Sequence, residues 1–299
     1  MTRLAAALCL GATLLAQQPF RSGVEGVRVD VLVTDGNVPV AGLTARDFEL
    51  RDSGVNQEIQ SSSRDDVPLS IVIALDVSRS VEGAPQDHLR DAVGAAIGTL
   101  TGADHVALLA FNNLLALRTG SFTAPDKAID LIADIGATGP TSVYDAAFTS
   151  LLMRDPLGGR PVVLLLSDGD DTASWLDAPA VLRTAHRTDA VVYSIGLKSP
   201  LDTMAYRVDI AAHVAIDEDN AGGDAPFLVR LAAATGGRVL DADRVQDVDV
   251  RLVEALRELK SRYLLTYTPR GVEGHGWHPL DVRVKRRGVK VTARQGYER

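Results

Sequence analysis

Two continuous apolar runs, each leading to an aspartate, constrain the fold of this chain most. Ser70-Ile-Val-Ile-Ala-Leu75 precedes Asp76, and Pro161-Val-Val-Leu-Leu-Leu-Ser precedes Asp168. Neither run alternates between apolar and polar residues, which is the pattern of strands that are covered on both faces. Such strands belong to parallel sheets with helices on either side, so these runs predict an α/β fold.

Helical patterns alternate with these and similar strands along the middle of the chain. Apolar residues recur at helical spacing in six segments, at about 85–100, 124–135, 142–153, 178–187, 227–234 and 248–260. Short apolar stretches between them predict further strands, at 105–111, 190–195 and 239–240. This alternation predicts a doubly wound, mostly parallel sheet with helices on both faces, a Rossmann-like architecture.

The two ends of the chain carry an alternating pattern instead. Val27–Thr34 and Phe48–Arg51 alternate near one end, and Tyr263–Tyr267 and Leu280–Lys285 lie near the other. Alternation is typical of half-buried strands, whereas Ser61–Asp66 between them and the first apolar run is predicted to be a polar linker. Since two adjacent strands alone would be marginal, we expect both ends to combine into one small β module.

The opening residues resemble a secretory signal. Residues 1–16 hold one basic residue and an apolar run that is too short for a comfortable transmembrane helix. Cleavage after Ala16 would remove Cys9, the only cysteine, and would leave no integral membrane span; the alternative is an ordinary hydrophobic helix. The predicted organisation is a signal at 1–16, a β segment at 24–64, an α/β domain at 67–260 and a β segment at 262–299 that packs with 24–64.

Three separated stretches carry oxygen ligands that suit a hard metal ion. Asp76, Ser78 and Ser80 form an Asp-x-Ser-x-Ser motif, Thr141 lies in Gly139-Pro-Thr-Ser142, and Asp168 follows the second apolar run. In an open α/β sheet, ligands bind beyond the carboxyl ends of the strands, where both aspartates are expected. Carboxylate and hydroxyl oxygens favour Mg²⁺, or Mn²⁺ or Ca²⁺, over zinc.

These five residues resemble the metal-ion-dependent adhesion site of von Willebrand factor type A domains. The resemblance spans about 67–260, and the flanks look like those of a secreted subfamily known best from acidobacteria. It implies that the two serines and Thr141 ligate the ion directly, that the aspartates bind directly or through water, and that a carboxylate of a protein partner completes the shell. One departure is Pro140, which replaces the usual second glycine before Thr141.

The sequence therefore predicts a secreted or cell-envelope protein that binds an acidic group of a protein partner and is not an enzyme. The net charge of -8 argues against a nucleic-acid partner. No P-loop, zinc-protease or nucleophile-elbow motif is found in the sequence. Two alternatives remain, a metal-dependent phosphoryl-transfer enzyme with Asp76 as nucleophile and a structural envelope module whose site has no partner. The first is disfavoured because Ser78 stands where such phosphatases usually carry a second aspartate.

Overall fold

A computed structural model describes residues 26–64, 67–79, 84–132, 138–197, 226–242, 244 and 247–299. The predicted signal segment at 1–16 and the predicted ligand Ser80 lie outside these residues.

Helices and strands alternate through the middle of the chain, and strands dominate both ends. In the described part, the helices are α1 (Ala84–Ile97), α2 (Pro125–Ile129), α3 (Val143–Leu152), α4 (Ala178–Arg187), α5 (Phe227–Thr235) and α6 (Val248–Ser261). The strands of the same residues are β1 (Val27–Asp35), β2 (Val38–Pro39), β3 (Phe48–Asp52), β4 (Val55–Gln57), β5 (Ile59–Ser63), β6 (Leu69–Asp76), β7 (His105–Phe111), β8 (Leu115–Leu117), β9 (Arg160–Ser167), β10 (Val191–Leu197), β11 (Arg238–Ala242), β12 (Tyr263–Tyr267), β13 (Trp277–Val284), β14 (Lys290–Thr292) and β15 (Gly296–Glu298).

A six-stranded sheet forms the centre of the molecule. Its strand order is β11-β10-β9-β6-β7-β8, and all neighbours are parallel except β8, which runs antiparallel to β7. The two apolar runs are the adjacent strands β6 and β9, with Leu75 opposite Leu166. Asp76 and Asp168 therefore arrive at the same edge of the sheet.

Both faces of this sheet are covered, as the continuous apolar runs predict. One hydrophobic core packs the sheet against α1, α2 and α6, and a second packs its other face against α3, α4 and α5. Alternate residues of the parallel strands belong to the two cores, for example Ile73 to the first and Ala74 to the second. The predicted α/β class with helices on both faces is confirmed. No helix of the described residues is long and apolar enough to cross a membrane.

Strands from both ends of the chain pair with one another, as the predicted small β module requires. Antiparallel pairing gives one sheet of order β14-β1-β12-β5, with β2 beside β1, and a second of order β15-β13-β3-β4. Val29 and Val31 of β1, Phe48 and Leu50 of β3 and Tyr263 of β12 belong to one buried cluster. The rings of Phe48 and Tyr263 pack edge to face with their centroids 5.3 Å apart, and this contact joins the two sheets in a shared core.

Two local predictions differ from the structure. The predicted polar linker at 61–66 is in part strand β5, because the backbone of Ser61–Ser63 pairs with β12 although its side chains carry no apolar signal. The helix predicted over 124–135 ends at Ile129. Leu131 and Ile132 donate to carbonyl groups three residues back instead of four, so the helix tightens into turns there. Residues 133–137 lie outside the described part.

Candidate metal site

Asp76 ends β6 as a fully buried carboxylate with a hydrogen bond to each oxygen. The backbone N–H of Ser78 donates to Oδ1 at 2.9 Å, and the Ser167 hydroxyl donates to Oδ2 at 2.8 Å. Asp76 and Ser167 are 0 % exposed and Ser78 is 1 % exposed. The loop after β6 and the end of the neighbouring strand β9 therefore fix the orientation of the carboxylate before any ligand binds.

The segment that carries Thr141 is bonded directly to the loop after β6. The N–H of Arg79 donates to the Gly139 carbonyl at 3.1 Å, and the N–H of Thr138 donates to the Val77 carbonyl at 2.8 Å. Gly139 has a φ of +81°, and a Cβ there would lie 2.8 Å from Oδ1 of Asn113. Glycine is needed at this position because an L side chain would be strained and crowded.

The loop after β9 closes the arrangement by bonding to Thr141. The N–H groups of Thr172 and Ala173 both donate to the Thr141 carbonyl at 2.9 Å, and the Thr141 N–H donates to the Thr172 hydroxyl at 2.9 Å. Asp168 begins this loop and is half-buried, with Oδ1 accepting from the N–H of Asp170 at 3.2 Å. Three loops from three parts of the chain are thus held together by their backbones.

Electrostatics at this edge favour a bound cation. Burial raises the pKa of the Asp76 carboxyl above its usual value, hydrogen bonds from Ser78 and Ser167 oppose that shift, and the nearby charge of Asp168 adds to it. The charge of Asp168 therefore disfavours the charged form of the buried Asp76, and a bound cation would compensate this repulsion. The donor set of two carboxylates and neutral hydroxyls therefore fits a hard divalent ion.

The structure brings four of the five predicted site residues, Asp76, Ser78, Thr141 and Asp168, to one edge of the sheet, and Ser80 lies outside the described residues. Their role as metal ligands stays a prediction. Among the described residues, no three His, Cys, Asp or Glu side chains form a metal-binding group. The predicted site is not a group of this kind, since only two of its five residues are acidic and the other three are hydroxyl residues.

The sequence analysis missed three residues that hold the site in shape. Ser167 bonds Asp76, Thr172 bonds Thr141, and Asp145 accepts from the N–H groups of Trp175 and Leu176 at 3.0 Å each. Ser167 could have been found from its place beside Asp168 at a strand end. Thr172 and Asp145 had no such signal, because each acts on a residue about 30 positions away in the chain.

Comparison with known structures supports the assignment of the fold. The chain is similar to a von Willebrand factor type A structure from Catenulispora acidiphila, with 12 % identity and a TM-score of 0.51 over 92 % of this chain and 72 % of that one. At this identity the similarity shows the fold alone. The chain therefore has the von Willebrand factor type A fold, as its motifs implied.

Two further structures are more distant in shape. One is an aerotolerance-related membrane protein from Bacteroides fragilis, with 15 % identity and a TM-score of 0.45 over 64 % of this chain and 99 % of that one. The other is proximal thread matrix protein 1 from the mussel byssus with a zinc-occupied metal-ion-dependent adhesion motif, with 14 % identity and a TM-score of 0.48 over 65 % of this chain and 48 % of that one. The fold assignment rests on the first structure and not on these two. No protein-family model and no curated protein matches the sequence.

Proposed function

We propose that this protein is a secreted, non-enzymatic binding module that uses a divalent cation to capture an acidic group of a protein partner. The observation that carries the proposal is the convergence of Asp76, Ser78, Thr141 and Asp168 at the carboxyl edge of the sheet, on three loops bonded to one another. An edge built in this way is where ligands bind in open α/β sheets.

The ligand types explain the choice of ion and of partner. Asp76, Asp168, Ser78, Ser80 and Thr141 would hold Mg²⁺, with Mn²⁺ or Ca²⁺ as close substitutes, because all offer hard oxygen atoms. Two carboxylates and three neutral hydroxyls would supply five oxygen ligands if each residue gave one, whereas Mg²⁺ prefers octahedral coordination. One position would then remain for a carboxylate oxygen from an Asp or Glu of the partner.

The surroundings of Asp76 favour binding over catalysis. Within the described residues its carboxylate is hydrogen-bonded by Ser78 and Ser167, and neither hydroxyl is a base at neutral pH. Enzymes that use such a carboxylate as nucleophile usually carry a second aspartate two residues later as the acid or base, and Ser78 stands there in this chain. Hydroxyl and backbone groups instead orient Asp76, which suits a ligand to an ion. A place outside the cytoplasm follows from the signal-like residues 1–16.

Calorimetric titration with Mg²⁺ tests the metal site directly. Asp76→Ala and Thr141→Val are expected to abolish or strongly weaken Mg²⁺ binding, while circular dichroism reports an intact fold. Thr184→Val is the matched control, because within the described part of the chain the Thr184 hydroxyl bonds only the Ala180 carbonyl of its own helix, at 3.1 Å. Unchanged Mg²⁺ affinity in both site variants would contradict the proposal.

A peptide with fluorescein at its amino terminus, fluorescein-Gly-Gly-Asp-Gly-Gly-amide, tests the capture of an acidic group. We expect fluorescence polarisation to show binding in Mg²⁺, and no binding in EDTA or with Asn in place of Asp. Binding that survives EDTA would contradict a metal-mediated contact. Hydrolysis of a generic phosphoester that disappears in Asp76→Ala would instead support the phosphoryl-transfer alternative.

A further inference from the structure

Trp175 is the most exposed large apolar side chain of the described residues. It lies in the loop that begins at Asp168, and 96 % of its surface is open to solvent. A tryptophan buries a large apolar area when a partner covers it, and tryptophan is enriched among the residues that dominate binding energy at interfaces. An exposed tryptophan in this loop is therefore a candidate contact for a binding partner.

Hydrogen bonds fix the backbone of the loop at Trp175. Both oxygens of Asp145, which is only 9 % exposed, accept from the N–H groups of Trp175 and Leu176 at 3.0 Å. The Ser174 hydroxyl in turn accepts from the N–H groups of Tyr144 and Asp145 at 3.1 and 3.2 Å. The backbone on either side of the indole is thus fixed to the first turn of α3, so the exposure of the side chain is not the result of a loose loop.

The same loop is fixed to the candidate metal site. Thr172 and Ala173 bond the Thr141 backbone, as described above, and Trp175 follows only two residues after Ala173. The backbone that carries the indole is therefore fixed relative to the backbone of Thr141.

A second exposed apolar side chain lies in another loop bonded to the Thr141 segment. Leu114 is 71 % exposed, and its N–H donates to Oδ1 of Asn112 at 2.8 Å. The side-chain amide of Asn112 donates to the Thr138 carbonyl at 2.8 Å, and the backbone carbonyl of Asn112 accepts from the Ser142 N–H at 2.9 Å. The Thr141 segment thus contacts two loops, and each carries a large apolar side chain in solvent.

We propose that Trp175 and Leu114 form an apolar rim of the metal site, and that the segment it recognises carries its Asp or Glu next to a large apolar side chain. This rests on the proposed function, which supplies the carboxylate contact. The metal contact alone would accept any accessible carboxylate, whereas an apolar contact beside it distinguishes one acidic segment from another. Burial of one large apolar side chain against the indole increases affinity about tenfold or more.

The test compares labelled peptides by fluorescence polarisation in Mg²⁺. The reference is fluorescein-Gly-Gly-Asp-Gly-Gly-amide, and the test peptides carry Phe or Leu at each position next to the Asp in turn. For the unmodified protein, at least one test peptide is expected to bind about tenfold more tightly than the reference. Trp175→Ser should remove that gain and leave the affinities for Mg²⁺ and for the reference peptide unchanged. Leu114→Ser should reduce the gain in the same way.

Two variants serve as controls for exposed apolar residues elsewhere. Leu157→Ser changes a side chain that is 80 % exposed in the turn before β9, at the opposite edge of the sheet, and Trp277→Phe changes the second tryptophan, in β13. Both should keep the gain. Equal affinities for all peptides, or a gain that survives Trp175→Ser, would overturn the rim while the proposed function stands. Absence of Mg²⁺ binding, or of reference-peptide binding, would overturn both.

Discussion

The Ser167 hydroxyl donates a 2.8 Å hydrogen bond to Oδ2 of Asp76, a residue 91 positions earlier in the chain. Both residues are 0 % exposed, and the other carboxylate oxygen, Oδ1, accepts from the Ser78 N–H. The neighbouring strand β9 therefore sets the orientation of the carboxylate that ends β6. Residues that do not touch a ligand can in this way decide how well the site holds one.

Ser167→Ala is expected to weaken Mg²⁺ binding about tenfold, because a hydrogen bond to a charged group contributes about 1.5–3 kcal/mol. Calorimetric titration with Mg²⁺ measures this change. Ser194→Ala is the matched control, since Ser194 is equally buried in the adjacent strand β10 and its hydroxyl has no hydrogen-bond partner in the described structure. Equal affinities in the two variants would contradict an orienting role for Ser167.

Asp30→Ala is expected to destabilise the fold by about 3–5 kcal/mol. Asp30 of β1 pairs with Arg160 of β9 and with Nε of Arg262 at 3.3 Å, and Arg160 and Arg262 are at most 1 % exposed. Removal of the Asp30 carboxylate leaves two buried guanidinium groups without this negatively charged partner. Urea unfolding measures the loss. Glu58→Ala breaks an exposed pair with Arg270 and should cost at most about 1 kcal/mol, so similar losses in both variants would refute the prediction.

Stability at low pH is expected to depend on Asp52. Burial raises the pKa of this carboxyl, but hydrogen bonds from His278, Tyr267, Tyr297 and Ser53 outweigh it and hold the pKa below its usual value. A lowered carboxyl pKa contributes stability above the unfolded-state value, about 3.9, that is lost as the pH falls through the folded-state value.

The free energy of unfolding of wild type and of Asp52→Asn, measured from pH 7 down to pH 2, tests this expectation. The advantage of wild type should shrink as the pH falls below about 4, where the Asp52 carboxylate of the unfolded chain takes up a proton more readily than that of the folded chain. An advantage that grows as the pH falls would contradict it.

Gly237→Ala is expected to destabilise the fold by roughly 3 kcal/mol or more, because the backbone has no room for a side chain there. A Cβ at Gly237 would lie 1.8 Å from the Val192 carbonyl oxygen of the neighbouring strand β10. Gly94→Ala, within α1, meets nothing within 4 Å and should stabilise by roughly 0.5–1 kcal/mol. Thermal unfolding of both variants measures the difference, and a tolerated alanine at 237 would contradict the close approach.

Local sequence patterns predicted a helix or strand correctly where the apolar side chains of that element are themselves buried. The predicted helix at 178–187 and strand at 263–267 match α4 and β12. The helix predicted at 227–234 is α5, which ends at Thr235, where Gly236 caps it with a φ of +74°. Strand β5 was missed because its side chains are exposed or half-buried and it forms through backbone pairing with β12, about 200 residues later.

The sequence by itself determined the α/β class, the strand ends that carry Asp76 and Asp168, and the residue types of the candidate site. Those features follow from apolar periodicity and from ligand chemistry, which are written in short stretches of chain. The tertiary structure decided which loops hold Thr141, that Ser167 orients Asp76, and that the backbone of Trp175 is fixed beside them with its indole in solvent. Each of these depends on hydrogen bonds between residues about 30 to 90 positions apart, and no short stretch of sequence specifies which partners folding brings together.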